Sequence, residues 1–211
     1  MSGLRERQKE MRRQAIAKAA VELFESQGFE NTTIERIAQV AGVSAPTVFK
    51  YFGSKQEIIL EMLRAADERA ILDTRACLSD FDDPVDALCH LESLLVGYAL
   101  DVLGAPLWRQ LLPLILSGGD GGLPETYRQM NGVLQKQITL VLAELQNAGK
   151  LRPDLDIDLA AYLLNDYSHL QLLRLTSRPE LDLQGHREQV RRITRLVFEG
   201  MRPVNPGISS S

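Results

Sequence analysis

The chain has 211 residues, of which 45% are hydrophobic and 25% charged, a balance that is ordinary for a globular protein with a sizeable core. Aromatic residues make up only 6% of the chain, and runs of β-branched residues are scarce, which argues against an all-β fold. The net charge of −4 excludes DNA binding over the whole surface, but residues 1–60 hold nine Lys or Arg against seven Glu, a net of +2, whereas the remainder is acidic.

The cysteine content and the ends of the chain bear on cofactors and location. Cys77 and Cys89 are too few for a disulfide framework or a zinc site, so we expect neither a metal nor another cofactor. The charged N-terminus has no signal-peptide core, and no apolar run approaches the ~20 residues that span a bilayer. We therefore expect a cytoplasmic protein without a membrane partner.

A basic segment precedes the first apolar stripe of the chain. Residues 1–13 contain five Lys or Arg against two Glu, and they are either a solvated helix end or an arm that contacts DNA phosphates. The stripe that follows has helical spacing, and Gly28 is expected to end this first helix. Its members are Ile16, Ala19, Ala20, Leu23 and Phe24.

Residues 33–55 predict two short helices joined by a tight turn. Thr33 is a good N-cap for the first helix, and Gly42 provides the left-handed conformation that the turn needs. Ser44 caps the second helix, with Pro46 in its first turn, where a missing N–H costs little. Val48, Phe49 and Phe52 are expected to hold the second helix to the body. This arrangement can insert a helix end into the major groove of DNA.

The remaining helices are separated by Gly, Pro and Asp. Ser54 caps a long fourth helix that connects the front segment to the rest of the chain. Helix breakers then delimit helices at about 84–103, 107–116, 124–148, 157–176 and 185–201. We predict an all-α fold of about nine helices. Its predicted parts are a helix-turn-helix domain at 1–53, an effector-binding and dimerisation domain at 54–203, and a disordered tail at 204–211.

The segment from Gly28 to Leu63 resembles the N-terminal domain of the tetracycline-repressor (TetR) family of transcription regulators. The matching segments are Gly28-Phe29 followed by Thr32-Thr33, Ile37-Ala38 with Ala41-Gly42-Val43-Ser44, and Thr47-Val48-Phe49-Lys50-Tyr51-Phe52 with Ser54-Lys55. The resemblance implies a three-helix DNA-binding domain followed by a helical bundle for ligand binding and dimerisation. It also implies a regulator of transcription, expected to be a repressor released from its double-stranded DNA operator by a small-molecule effector.

The resemblance further implies which residues contact DNA. In the family, the start of the second short helix faces the base edges of DNA. The end of that helix and the start of the next one face the DNA backbone. The implied DNA-binding residues are Thr33, Ser44, Ala45, Pro46, Thr47, Lys50, Tyr51 and Lys55. Phe49 stands where the family usually has tyrosine, and Ala45 stands where longer polar side chains are common. We therefore expect contacts with thymine methyl groups and readout of DNA shape, rather than many hydrogen bonds to bases.

The last two helices predict a homodimer. The helix at 157–176 is apolar nearly all round, so it requires cover on two faces, either inside a monomer core or between the body and a second copy. A two-fold pair can address two half-sites, which favours the dimer, and the resemblance implies a four-helix interface. The expected interface residues are Leu163, Tyr167, Leu170, Val190, Ile193 and Val197.

Polar and aromatic residues scattered among the leucines of the body predict a ligand cavity. We expect a mostly apolar effector, because no basic cluster is present to hold a multiply charged anion. The expected lining residues are Tyr98, Trp108, Leu112, Tyr127 and Met130. The chain shows no catalytic constellation and is not expected to be an enzyme. An all-α enzyme acting on a small apolar substrate and a sequence-independent DNA-binding protein remain the alternatives.

Overall fold

The computed structural model describes the backbone of residues 2–117 and 123–199, and the side chains of residues 3–111 and 129–199. Within those ranges the chain forms nine α-helices and no strand, so the all-α prediction is confirmed. The helices are α1 (Ser2–Gln27), α2 (Ile34–Val40), α3 (Ala45–Tyr51), α4 (Lys55–Ala76), α5 (Pro84–Val102), α6 (Ala105–Ser117), α7 (Leu123–Asn147), α8 (Ile157–Thr176) and α9 (Leu183–Glu199). A 3₁₀ turn, Leu78–Asp80, lies between α4 and α5. The predicted tail at 204–211 lies outside the described residues.

The starts of α2, α3 and α4 are set by the predicted N-caps. Each cap oxygen accepts a hydrogen bond from the backbone N–H of the residue three positions later in the chain. The distances are 3.2 Å for Thr33 Oγ1, 3.3 Å for Ser44 Oγ and 3.1 Å for Ser54 Oγ. Each of these bonds satisfies a donor that a helix start leaves unpaired. Gly28 and Gly42 have φ of +85° and +67°, the left-handed conformation that lets the chain leave α1 and α2 without strain.

Helices α1–α3, which we call the head, pack around a small apolar core. Ile16 and Phe24 of α1, Ile37 of α2 and Val48 of α3 are fully buried there. Phe29, in the loop after α1, closes the core with its ring centroid 5.1 Å from that of Phe24. The head is therefore held by packing between its three helices and the loop that joins the first two.

One prediction about the head was wrong. Phe49 does not hold α3 to the body, because 52% of its surface is exposed. Val48 and Phe52 are buried, and residues four apart share a helix face, whereas Phe49 is rotated by about 100° from Val48. The ring of Phe49 therefore lies on the outer side of α3.

The body is built around α4. One buried cluster joins the head to α4, α5, α6 and α8, and a second cluster lies among α4, α5, α7 and α8. Ile58 and Leu63 of α4 belong to the first cluster, and Ala70 and Ile71 belong to the second. Helix α4 therefore connects head and body, as predicted, and the boundary predicted after residue 53 stays a prediction.

Helix α6 makes a second link to the head. The backbone N–H of Phe29 donates to Gln110 Oε1 of α6 at 3.4 Å. Leu107 and Leu111 of the same helix are buried in the cluster that contains the head residues. A displacement of α6 would therefore reach the loop that precedes α2.

Among the described residues, no single helix is both long and apolar enough to cross a membrane. Helix α5 taken together with Ala105–Leu111 passes that test by length and composition, but the pair is bent by 91°.

Candidate DNA-binding surface and ligand cavity

The N-terminal end of α3 lies open to solvent. Ser44 and Pro46 are exposed, and Ala45 and Thr47 are partly exposed. The hydroxyls of Ser44 and Thr47 are 2.8 Å apart and hydrogen-bonded to each other. This end therefore presents methyl and ring surface together with one paired set of hydroxyls, which suits contact with thymine methyls better than a bidentate hydrogen bond to a base.

A basic cleft lies beside α3. It has a volume of about 580 Å³ and runs between the first half of α1 and the end of α3. Its lining residues are Arg5, Gln8, Lys9, Arg12, Arg13, Lys50 and Tyr51. Arg13 is held in place, since it pairs with Glu61 at 2.5 Å and stacks over the ring of Phe52 at 4.9 Å.

Three of the cleft cations are available to a ligand. Within the described part of the chain, Arg5, Arg12 and Lys50 form no ion pair, and all three are exposed. Lys9 pairs weakly with Glu6 at 3.7 Å on the surface, which costs little to break. The cleft therefore offers a row of cations of the kind that holds DNA phosphates.

Lys55 and Thr33 have structural roles at this surface. The Lys55 ammonium donates to the carbonyls of Phe29, Glu30 and Thr32 at 2.7, 3.3 and 3.2 Å and lies 4.4 Å from the Phe29 ring centroid. Its donors thus tie the α1–α2 loop to the start of α4. Thr33 is exposed at the start of α2, and its hydroxyl oxygen accepts the Arg36 N–H.

A small cavity lies in the body between α4, α5, α6, α7 and α8. Its volume is about 40 Å³. Its lining residues are Leu63, Asp67, Leu95, Val96, Ala99, Trp108, Met130, Leu134, Ser168, His169 and Leu172. Trp108 is buried, and its Nε1–H donates to the carbonyl of Ala99 at 3.2 Å, so the indole is fixed in position.

Of the five predicted lining residues, the structure brings Trp108 and Met130 together at this cavity. The side chains of Leu112 and Tyr127 lie outside the described residues. Tyr98 does not line this cavity: its hydroxyl donates to Asp73 Oδ2 at 2.6 Å, and its ring lies 4.6 Å from the Arg69 guanidinium in an outer groove between α1, α4 and α5, so its contact with an effector stays a prediction. The reason is the helical rotation between Tyr98 and its neighbour Ala99, which faces inward.

Two titratable side chains, Asp67 and His169, also line the cavity. Burial raises the pKa of the Asp67 carboxyl to about 7, with a smaller contribution from the nearby charge of Glu68. Burial lowers the pKa of His169, although its Nδ1–H donates to the Asn165 carbonyl at 2.7 Å and Asp166 opposes the shift. At neutral pH the cavity therefore holds a half-ionised carboxyl beside a neutral imidazole.

The sequence contained a signal for Asp67. This residue lies four positions after Leu63 and three before Ala70, so a charged side chain interrupts the buried stripe of α4. A carboxyl on an apolar stripe is rare unless it is paired, and it therefore marks a candidate functional group.

The outer faces of α8 and α9 carry exposed apolar side chains. Leu163, Leu170 and Val197, which were predicted to form a dimer contact, are 49%, 42% and 46% exposed. Tyr167 and Ile193 are partly buried, and burial with the nearby Glu92 charge raises the pKa of Tyr167 to about 12. Exposed apolar residues beyond that prediction are Leu159, Tyr162 and Leu196.

Val190 differs from the other residues that were predicted for that surface. It is 2% exposed within the single chain, so its own body already covers it. Helix α9 turns His186, Val190 and Thr194 inward, and His186 Nε2 lies 2.9 Å from Glu92 Oε1 of α5. The apolar stripe of α9 is thus divided between the body and the exposed face.

A capped helix-turn-helix whose second helix is open at its start, next to a row of cations, defines a DNA-binding regulator of transcription. Residues 16–62 match the family model described as bacterial regulatory proteins, tetR family. The HTH-type transcriptional regulator TtgR of Pseudomonas putida is 30% identical over 183 residues, which cover 84% of this chain and 86% of that protein. The chain belongs to the TetR family.

Two further comparisons agree with this assignment. The HTH-type transcriptional regulator TcmR of Streptomyces glaucescens is 42% identical over 66 residues, which cover 31% of this chain and 29% of that protein. The crystal structure of Thermus thermophilus FadR, a TetR-family repressor in complex with lauroyl-CoA, superposes with a TM-score of 0.69 at 27% identity. That superposition covers 92% of this chain and 99% of the FadR chain.

Proposed function

We propose that this protein binds an operator as a homodimer, represses transcription there, and is released by a small-molecule effector. The observation that carries the DNA-binding part is the open start of α3 beside the basic cleft. Its relatives are named as transcriptional regulators, which favours this function over an enzyme. The head at 1–53 acts as the reading unit, and residues 54–203 carry the effector site and the dimer contact.

In the proposed complex, the start of α3 enters the major groove. Ala45, Pro46 and Thr47 face base edges, and Ser44 holds the hydroxyl of Thr47 in place. The groups on the DNA backbone are Thr33, Lys50 and Tyr51, joined by Arg5 and Arg12 of the cleft. Lys55 supports the DNA-binding surface because it fixes the α1–α2 loop through the carbonyls of Phe29 and Thr32. If Lys55 contacts a phosphate, its ammonium must first leave these carbonyls.

In the proposed dimer, the exposed apolar faces of α8 and α9 pack against those of a second copy. Leu163, Leu170 and Val197 lie at its centre, with Tyr167 and Ile193 contributing their exposed parts. Burial of such side chains contributes roughly 25 cal/mol per Å² of apolar surface. Two heads joined in this way address two half-sites on the same face of the duplex.

The proposed effector enters the cavity between α4 and α8. At about 40 Å³ the cavity holds little more than one water molecule, whose share of the liquid is roughly 30 Å³, so a larger effector must select an expanded state. Trp108 lines the cavity on the same helix as Gln110, which bonds the loop before α2. Expansion at Trp108 therefore displaces α6, and the displacement changes the position of the head.

Lauroyl-CoA, which is bound in the crystal structure of T. thermophilus FadR, is an anionic thioester of large volume. In the described part of this chain the cavity lining contains no Lys or Arg and one carboxyl group, Asp67. A multiply charged anion is therefore a poor match for this cavity.

The proposal is tested by isolating the operator and then releasing the protein from it. Purified protein is mixed with fragments of its own genome, and bound fragments are recovered in the presence of competitor DNA. We expect one or a few sites bound at least about a thousandfold more tightly than competitor, as for specific DNA-binding proteins. Uniform binding to all fragments would instead support a sequence-independent binder. Release of the isolated site by a small molecule then tests the effector part.

A further inference from the structure

The Asp67 carboxyl has an unusual position in this protein. It is partly buried on the side of α4 that faces the body, and it lines the cavity between the body helices. Among the described residues it has neither a hydrogen-bond donor nor an ion-pair partner. Burying an unpaired carboxylate is costly, and buried charges in proteins are usually paired. Asp67 therefore has no partner within the described chain, and a bound ligand can supply one.

Among the described residues, the groups around Asp67 do not compensate its negative charge. On its own helix, the nearby Glu68 adds a like charge. From α8, His169 lines the same cavity, and burial lowers its pKa, which favours the neutral imidazole. The described lining residues from α5, α6 and α7 are all apolar: Leu95, Val96, Ala99, Trp108, Met130 and Leu134. The field in the cavity thus favours a cation and disfavours an anion.

Trp108 strengthens this preference. Its Nε1–H is already used by the Ala99 carbonyl, so what the indole offers to the cavity is its carbon surface. An indole ring attracts a nearby cation more strongly than any other side-chain ring does. A carboxylate and an indole on the walls of one apolar cavity together match a positively charged nitrogen attached to an apolar group.

We propose that the effector is an organic cation, namely an amine carried on an apolar or aromatic group. Its N–H pairs with Asp67, and its apolar part packs against Trp108 and Met130. This inference rests on the proposed function, because it names the chemical class of that effector. It assigns to Asp67 the role of a specificity-determining residue.

The proposal has a pH signature. The amine pairs with the ionised carboxylate, and a carboxyl with pKa about 7 is ionised to about a tenth near pH 6 and to about nine tenths near pH 8. An alkylamine stays protonated over this range. Its affinity should therefore rise by about tenfold between those two pH values, whereas a neutral ligand of the same shape should show no such rise.

The experiment uses the fluorescence of Trp108, which is the single tryptophan of the sequence. Phenylbutylamine, phenylbutanol and phenylbutyrate are titrated into the full-length dimer, and release from the isolated operator is followed in parallel. We expect the amine to perturb Trp108 and to bind at least about tenfold more tightly than the other two, which corresponds to one charge-assisted hydrogen bond. Asp67→Asn should remove both this preference and its pH dependence.

Glu68→Gln is the matched control, because it removes one negative charge from the exposed neighbour on the same helix. It should keep the amine preference and shift its pH profile slightly toward lower pH. Equal binding of the three probes, or an amine preference that survives Asp67→Asn, overturns the cation proposal. Release of operator by lauroyl-CoA but not by the amine overturns it too, and leaves the proposed function standing. Operator binding that no compound of either class relieves counts against both.

Discussion

The substitution Asp67→Asn tests the electrostatic reasoning about the cavity without any ligand. The amide has nearly the shape of the carboxyl but never ionises. The pKa of Asp67 rises from an ordinary 3.8 to about 7 because the folded protein buries the carboxyl. Each unit of pKa shift corresponds to 1.36 kcal/mol, so ionisation costs the folded state at most about 4 kcal/mol. Asp67 is partly exposed, and the Asn amide itself needs hydrogen-bond partners. We therefore expect the variant to gain only about 1–3 kcal/mol in free energy of unfolding relative to wild type.

The sign of the pH dependence follows from proton binding. Between about pH 4 and pH 7 the folded state binds more protons at Asp67 than the unfolded state does, so its contribution to stability falls as the pH rises. Above about pH 7 the penalty is complete and constant. The variant lacks this penalty. It should therefore match the wild type near pH 4 and become more stable than the wild type near pH 8.

The assay is urea unfolding of both proteins at equal chain concentration, since dimer stability depends on concentration. In thermal unfolding near pH 8, a stability gain of 1–3 kcal/mol corresponds to a rise in Tm of roughly 2–12 °C for a chain of this size. A stability difference that does not change with pH would refute the assigned pKa. The stability of the variant relative to wild type can also be lower near pH 8 than near pH 4. That result would show that the ionised carboxylate has a partner.

Three further substitutions test the other surfaces. Lys50→Ala should weaken binding to operator and to competitor DNA alike and reduce the slope of log affinity against log salt by about one, as measured by anisotropy titrations; an unchanged slope would remove Lys50 from the phosphate contacts. Leu163→Glu should give monomers in sedimentation, whereas the control Leu72→Glu, at a residue 64% exposed on α4, should stay dimeric; dimers of both variants would contradict the α8–α9 interface. Lys55→Met should lower the unfolding free energy by about 2–3 kcal/mol and speed hydrogen exchange in the α1–α2 loop, and a silent substitution would refute its tie to the three carbonyls.

The local part of the fold was predictable because it depends on residues close in sequence. Thr33, Ser44 and Ser54 bond to N–H groups three residues away, and Gly42 adopts the conformation that its lack of Cβ permits. The helix from Ile157 to Thr176 was also bounded correctly, since Asp156 caps it and Arg178-Pro179 follows its end. Caps and breakers act within one turn, so the sequence alone contains them.

The side chains whose positions the sequence did not indicate are those whose surroundings come from distant helices. Val190 and Val197 have the same spacing pattern, and only the position of α5 decides that the first is covered by its own chain. Tyr98 was grouped with Trp108 by composition, but Tyr98 of α5 lines the outer groove and Trp108 of α6 lines the cavity between the body helices. The phosphate contact of Lys55 stays a prediction, and what the sequence did not indicate is that the α1–α2 loop brings three carbonyls to its ammonium. Periodicity identifies the faces of a helix and does not identify what covers each face.

The central claim is that two copies of the head read DNA together. Selection of tight-binding duplexes from a random pool, followed by sequencing and by measurement of the number of chains per duplex, tests it most directly. We expect an inverted repeat whose half-sites are bound by two chains, and loss of enrichment when one half-site is scrambled. An enriched sequence without two-fold symmetry that binds one chain, or no enriched sequence at all, would contradict it.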